Sequence, residues 1–319
     1  MTPPPAVCVV GALTMDMVVA CDALPRAGQT VFGRSVRTEP GGRGLRQAVA
    51  AARAGAEVSL IGRVGRDANG RELRAILQRE RVNDVGVAES WSAPTGASAI
   101  SVDAHGEHTA VVVPGANEQL DPGGIGEARK RIEGCRVLLA QLEVPTAAVT
   151  RAAEIARAGG ARVVLNVAPA QRVPAELLKL TDVVVANEDE SRTLAGVDDA
   201  ADVATLERAL EGLGVPVVIV TRGSAGSAVI QGTERYHIPA HEVEVLDTTG
   251  AGDASIGALG AAWAGASAVE GPPPMEALRD ALLFASAAGS LATTRRESVA
   301  SIPNRGEIQM LIDEAEIRR

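Results

Sequence analysis

Short apolar runs alternate with helical patterns along most of this 319-residue chain, and that alternation constrains the fold more than any other feature. Ala6–Leu13 (AVCVVGAL), Glu57–Arg63, Arg136–Leu142, Ala161–Asn166, Asp182–Ala186 and Val215–Thr221 read as buried strands. Gly44–Ala54, Ala68–Glu80 and Val144–Ala158 read as the helices between them. Strands apolar on both faces need cover on both faces. The pattern therefore predicts an α/β fold, a doubly wound, mainly parallel sheet flanked by helices. Two regions, Asp16–Thr38 and Thr95–Val113, carry short alternating segments with little helical signal. They read as a small β-sheet lid inserted into a single domain spanning residues 6–319. Ala200–Gly212 reads as an amphipathic surface helix. Gly250–Ala264 and Met275–Thr294 read as helices separated by a break at Gly271–Pro274.

Composition narrows the function classes. Forty acidic residues against 31 basic ones leave a formal net charge of −9, which opposes binding of nucleic acid or an anionic membrane through bulk charge. Two Phe, two Trp and one Tyr offer little for base stacking. Cys8, Cys21 and Cys135 have neither metal-ligand nor disulfide spacing and read as buried thiols. Pro3, Pro4 and Pro5 interrupt any leader-like apolar run, and no stretch reaches the ~20 apolar residues of a membrane span. The expectation is a soluble cytoplasmic protein with small-molecule partners, no nucleic acid and no membrane. The basic residues are 29 Arg and only two Lys, Lys130 and Lys179, a skew that reads as compositional bias.

Two glycine-rich segments carry the chemistry. Pro40–Ala48 (PGGRGLRQA) fits a plain strand-to-helix turn and a close backbone approach to a ligand equally well. Asp247–Asp253 (DTTGAGD) leads directly into a helix. Small residues at a helix N-terminus leave outward N–H groups, an anion hole reinforced by the helix dipole. Asp253 beside that hole could accept a proton from an attacking hydroxyl, or could simply favour the first helical turn. Neither segment is a Walker A loop or a dinucleotide fingerprint.

Taken with Asn187-Glu188-Asp189-Glu190, these segments resemble the ribokinase-like (PfkB) family of carbohydrate kinases, from Val9 to about Pro303. Gln47–Ala52, Gln141–Pro145, Asn166–Ala170 and Thr221–Ser224 are similar to its ribokinase branch. The resemblance implies an ATP-dependent sugar kinase acting on a hydroxymethyl group, with ribose as the default acceptor. Asp253 would be the base, and Gly250, Ala251 and Gly252 the anion hole. Asp16, Gly41, Gly42, Arg43, Arg46 and Glu143 would face the sugar. Asn187, Thr221, Gly223, Ser224 and Gly226 would face ATP, with Mg²⁺ held through water by Glu190 and Asn187. A monovalent cation, K⁺, would lie by Asp247, Thr249, Ala292, Arg295 and Ser301. A homodimer paired through the lid is also implied.

The departures from the family pattern are Thr14 and Arg46, each where an asparagine is usual, Arg43 for lysine, and Glu297 for a glycine near the cation site. Arg43 follows the Arg bias. Arg46 does not, because a guanidinium is long, cationic and donor-only, whereas an amide both donates and accepts. Inside the pocket it would favour another acceptor, such as a sugar acid, phosphosugar or nucleoside. Turned to solvent, or paired with Asp16 or Glu143, it would leave a weak or silent sugar-binding homologue.

Overall fold

A computed structural model describes residues 6–105, 107–266, 275–296 and 298–317. The chain enters the main sheet at β1 (Ala6–Val10), then leaves it for β2 (Thr14–Cys21) and β3 (Gly33–Gly41). It returns through α1 (Arg43–Arg53), β4 (Glu57–Gly65), α2 (Ala68–Arg79) and β5 (Asn83–Ser90). A second excursion forms β6 (Gly96–Val102) and β7 (His108–Val113). Two short helices, α3 (Pro122–Glu127) and α4 (Arg129–Glu133), precede β8 (Val137–Gln141), α5 (Thr146–Ala158) and β9 (Arg162–Asn166). Then come α6 (Ala175–Leu180), β10 (Val183–Asn187), α7 (Glu188–Ala195), α8 (Val203–Glu211) and β11 (Val217–Thr221). The hairpin β12 (Ser227–Gln231) and β13 (Glu234–Ile238) leads to α9 (Ala251–Gly265), α10 (Met275–Ala292) and α11 (Arg305–Ile317).

Nine strands form the main sheet in the order β13-β12-β11-β10-β9-β8-β1-β4-β5. Every pair from β5 to β11 is parallel, and β12 and β13 close one edge antiparallel. Buried side chains cover both faces, as the apolar strand pattern requires. The lid is a separate four-stranded sheet, β3-β2-β6-β7, in which β2 pairs parallel to β6. The Asn117 amide donates to the Leu13 carbonyl and accepts from its N–H, clamping the root of the lid.

The structure moves several boundaries. The expected strand Ala6–Leu13 stops at Val10, because the chain turns at Gly11 to pack on α1 and enter the lid. The lid runs wider than expected, from Thr14 to Gly41, and so reaches into the glycine-rich segment itself. The last long helix ends at Ala292 rather than Thr294, where Thr293 and Thr294 turn back onto Ser290 and Leu291. The sequence reading leaves out edge strand β5, the β12–β13 hairpin and α11; exposed residues dilute the apolar pattern of β5, β13 and α11, and the buried run of β12 is only three residues long. The expected break at Gly271–Pro274 and Glu297 lie outside the described residues. No helix among the described residues is long and apolar enough to cross a membrane. All three cysteines are buried and free.

Helices α1 and α9 lie side by side against the sheet. A Cβ on Gly257 of α9 would stand 2.4 Å from the Ala50 Cβ and 2.6 Å from the Gln47 carbonyl oxygen. Only a glycine allows this approach. Overpacking a rigid contact costs about 1–3 kcal/mol. Gly257→Ala is therefore expected to lower the unfolding free energy by that amount, read in urea as a lower midpoint with an unchanged slope.

Candidate active site

The strand order reverses between β1 and β8, since β1 continues to β4 on one side while β8 begins the run to β11 on the other. Crevices beyond the carboxyl ends of parallel strands open at such a switch point. The lid root, the start of α1 and the start of α9 all converge there. Gly42 precedes α1 with φ 87°, and a Cβ on it would stand 2.4 Å from the Ala12 carbonyl oxygen. A Cβ on Gly41 would stand 2.0 Å from Asp16 Oδ2. This segment, open to two readings in the sequence, is thus a strand end pressed against the Asp16 carboxylate.

At α9 the N-cap is Gly250, left-handed at φ 82°, with no side-chain cap. The Ala251 N–H turns back to the Thr248 carbonyl at a long 3.3 Å. No side chain caps the first turn, so its N–H groups and the helix dipole offer an anion site. Asp253 stands in that first turn and is 2% exposed. A carboxylate so buried needs donors. Arg46 Nε donates to its Oδ2 at 2.6 Å and Gln47 Nε2 to its Oδ1 at 2.9 Å. Arg43 Nη1 lies 3.8 Å from Oδ1.

The side of the cleft around Asp16 and Glu143 is as densely charged. Thr14 Oγ1 donates to Asp16 Oδ1 at 2.8 Å, fixing the carboxylate that faces Gly41. The Arg43 N–H donates to Glu143 Oε2 at 2.8 Å, and Arg43 Nε lies 3.5 Å from Oε1. Arg43, expected to be neutral, thus joins Glu143 to Asp253. Burial pushes the Glu143 carboxyl above the ordinary carboxylate range, against the opposing charges of Arg43 and Arg46. Arg46 neither turns to solvent nor chooses Asp16 or Glu143 as its main partner. It points into the cleft, 12% exposed, and takes Asp253, with Asp16 Oδ2 at 3.8 Å. Burial alone would lower its pKa, yet Asp253, Glu143 and Asp16 together hold it above the ordinary value.

Two strands away, Asn187 and Glu190 form a capping box at the start of α7. Asn187 Oδ1 accepts from the Glu190 N–H and Glu190 Oε2 from the Asn187 N–H, both at 2.8 Å. Burial raises the Glu190 carboxyl, Arg43 opposes the shift, and Asp253 adds to it, so Glu190 shares the field of the same cleft. Asn187 sits in register with Thr221 at the end of β11. Gly223 and Ser224 are exposed in a single turn closed by Gly226, at φ 80°.

Of the expected cation-site residues, Asp247 and Thr249 meet the chain just after Ala292. Leu246 and Asp247 donate their N–H groups to the Thr293 carbonyl, bringing Asp247 and Thr249 against the turn after Ala292. The Arg295 side chain is committed to Glu307 of α11, and the Ser301 hydroxyl donates to the Ser298 carbonyl at 3.2 Å. Among the described residues no group of three or more His, Cys, Asp or Glu could hold a metal ion by itself.

Sequence reasoning marked Gln47, Gln141 and Asn166 only as parts of similar segments. The structure joins them. Gln47 Nε2 also donates to Asn166 Oδ1 at 3.1 Å, and Gln141 Nε2 donates to Gln47 Oε1 at 2.6 Å. The signal available was three amides at the ends of adjacent strands and on α1, where apolar residues would otherwise pack. A hydrogen bond to a charged group is worth about 1.5–3 kcal/mol. Gln47→Ala should thus lower kcat by about 10- to 100-fold while leaving the melting temperature within a few degrees.

Residues 5–305 match the pfkB family carbohydrate kinase. A ribokinase from Bacillus subtilis (strain 168) is 34% identical over 310 residues, covering 96% of this chain and 99% of that protein. A bifunctional ribokinase/ribose-5-phosphate isomerase A from Fructilactobacillus sanfranciscensis is 33% identical over 98% of this chain, which spans 57% of its length. The structure of an Arabidopsis thaliana ribokinase complexed with ribose and ATP superposes with a TM-score of 0.84 at 29% identity, covering 97% of this chain and 99% of that one. The cleft between lid and sheet therefore belongs to a known architecture, and the chain is a member of the pfkB family of carbohydrate kinases.

Proposed function

We propose that the protein transfers the γ-phosphoryl group of ATP to the hydroxymethyl oxygen of a sugar, with ribose as acceptor and ribose 5-phosphate as product. One observation carries this reading: Asp253 is buried in the first turn of α9, beside the uncapped N-terminus and across the cleft from Asp16 and Glu143. Asp16, Glu143 and the backbone of Gly41 and Gly42 suit a polyol, because carboxylates accept from adjacent hydroxyls. Asp253 takes the proton of the attacking hydroxyl. The sugar oxygen bonds to the γ-phosphorus as its bond to the bridging oxygen breaks, and ADP leaves with that electron pair. The N–H groups of Gly250, Ala251 and Gly252 stabilise the transferring charge.

Asn187, Thr221, Gly223, Ser224 and Gly226 line the route along which ATP reaches the α9 N-terminus. Glu190, a buried hard-oxygen donor beside Asn187, fits a Mg²⁺ held largely through water. Bound there, the ion neutralises phosphate charge. A monovalent cation, K⁺, would be held by Asp247, the Thr249 carbonyl, Ala292, Arg295 and Ser301. Exposed apolar side chains on the lid, among them Met17, Val111 and Val113, fit pairing of two copies into a homodimer. ATP as co-substrate and three unpaired thiols fit a cytoplasmic reaction.

Coupled ADP release with Mg²⁺ and K⁺ tests the reading over ribose, 2-deoxyribose, nucleosides, sugar acids and phosphosugars. Ribose-dependent release is expected, weaker when Na⁺ replaces K⁺, and no sugar-dependent release with any acceptor would sink the proposal. Asp253→Asn should lower kcat by about 10³-fold, within the range for loss of a general base. Glu190→Gln preserves the capping box, since glutamine serves there as well as glutamate. It should leave the melting temperature unchanged and raise the Mg²⁺ concentration for half-maximal rate by about tenfold.

A further inference from the structure

The guanidinium of Arg46 lies where two ligands of the reaction must meet. Its Nε holds Asp253 Oδ2 at 2.6 Å, Nη1 reaches toward Ser298 Oγ at 3.4 Å, and Asp16 Oδ2 stands 3.8 Å away. At the other end, its Cδ lies 3.7 Å from where a Cβ on Gly250 would be. The side chain therefore bridges the acceptor carboxylate Asp16, the base Asp253 and the N-terminus of α9. Gln47 already occupies Asp253 Oδ1, so Arg46 engages the remaining oxygen. It also fills the gap between Asp16 and Asp253 that an acceptor hydroxymethyl has to enter.

An arginine has a better anion than a carboxylate available at this place. A phosphoryl group seated on the α9 N-terminus carries more charge and accepts a guanidinium bidentately. An anionic acceptor would fare worse. Asp253, Glu143 and Asp16 already surround Arg46, so a further carboxylate would meet a cation whose charge is spent.

Resting on the kinase reading above, we propose that Asp253 and the terminal phosphoryl group of the nucleotide compete for Arg46, so that acceptor binding is coupled to nucleotide binding. The phosphoryl group draws the guanidinium toward Gly250. Asp253 Oδ2 and the gap beside Asp16 are thereby released to the sugar hydroxyl. Arg46 acts as a positioning residue through which each ligand favours the binding of the other. By linkage, sugar strengthens nucleotide binding by the same factor.

The test is calorimetric titration of ribose into the full-length protein, with and without Mg²⁺ and β,γ-imido-ATP. If ADP release singles out another panel sugar, that sugar replaces ribose. The wild type should bind the sugar about tenfold more tightly with the analogue, within the usual range of coupling between sites. Arg46→Asn should bind it with one affinity in both conditions, and Arg46→Lys, which keeps the charge but loses the planar fork, should lie between. Equal affinities in the wild type overturn the proposal, with or without a folded variant. So does tenfold coupling that persists in Arg46→Asn. ADP release measured on the same preparations separates the two readings: release without coupling overturns only the role of Arg46, and no release with any sugar overturns the kinase reading.

Discussion

The buried carboxylate of Asp253 is the group around which this molecule is organised. At 2% exposure it has lost its water, and the groups that replace water come from a different helix. Arg46 and Gln47, consecutive on α1, each take one of its oxygens. That requires α1 and α9 to run close together, which Gly257 permits by removing the side chain that would collide with Ala50. Gln47 is in turn held by Gln141 at the end of β8 and by Asn166 at the end of β9. A chain of amides thus ties Asp253 to the sheet at the point where the strand order reverses.

The same reversal explains why the lid belongs to the site. It departs from the end of β1 and returns directly into α1, so its root is the floor of the cleft. Asp16 leaves on β2 and Gly41 returns on β3, where it pairs with Thr14, and the missing side chain leaves room for the Asp16 carboxylate. Lids of this kind exclude water from phosphoryl transfer and so limit hydrolysis of the donor.

Arg43 and Arg46 show how far a residue type can be weighed without its surroundings. Both belong to a chain with 29 Arg and two Lys, and compositional bias accounts for the choice at Arg43. Yet Arg43 is no bystander, since its backbone and side chain both reach Glu143 and its tip approaches Asp253. For Arg46 the sequence supported entry into the pocket, escape to solvent or a pair with Asp16 or Glu143. The cleft adds a partner absent from those alternatives, 207 residues away along the chain. The capping box at Asn187 and Glu190 shows the reverse. There a local pattern is enough, because the two hydrogen bonds of the box join residues three apart and fix the buried Glu190 carboxylate.

Local periodicity was enough to read the parallel strands, the helices between them and the inserted lid, because buried elements carry their burial as a repeating pattern. Edge strands β5 and β13 were illegible for the same reason, since their exposed residues blur the repeat. The motif at Asp247–Asp253 also spoke through short-range physics alone, as small residues before a helix leave donors outward wherever the helix lies. By itself, then, the sequence determined the α/β architecture, the family and the residue types of the site. Only the tertiary structure decided which donors compensate Asp253, where Arg46 points and how Gln47 is anchored. Those are contacts across the strand reversal, and nothing in a local window encodes which distant carboxylate a buried guanidinium will meet.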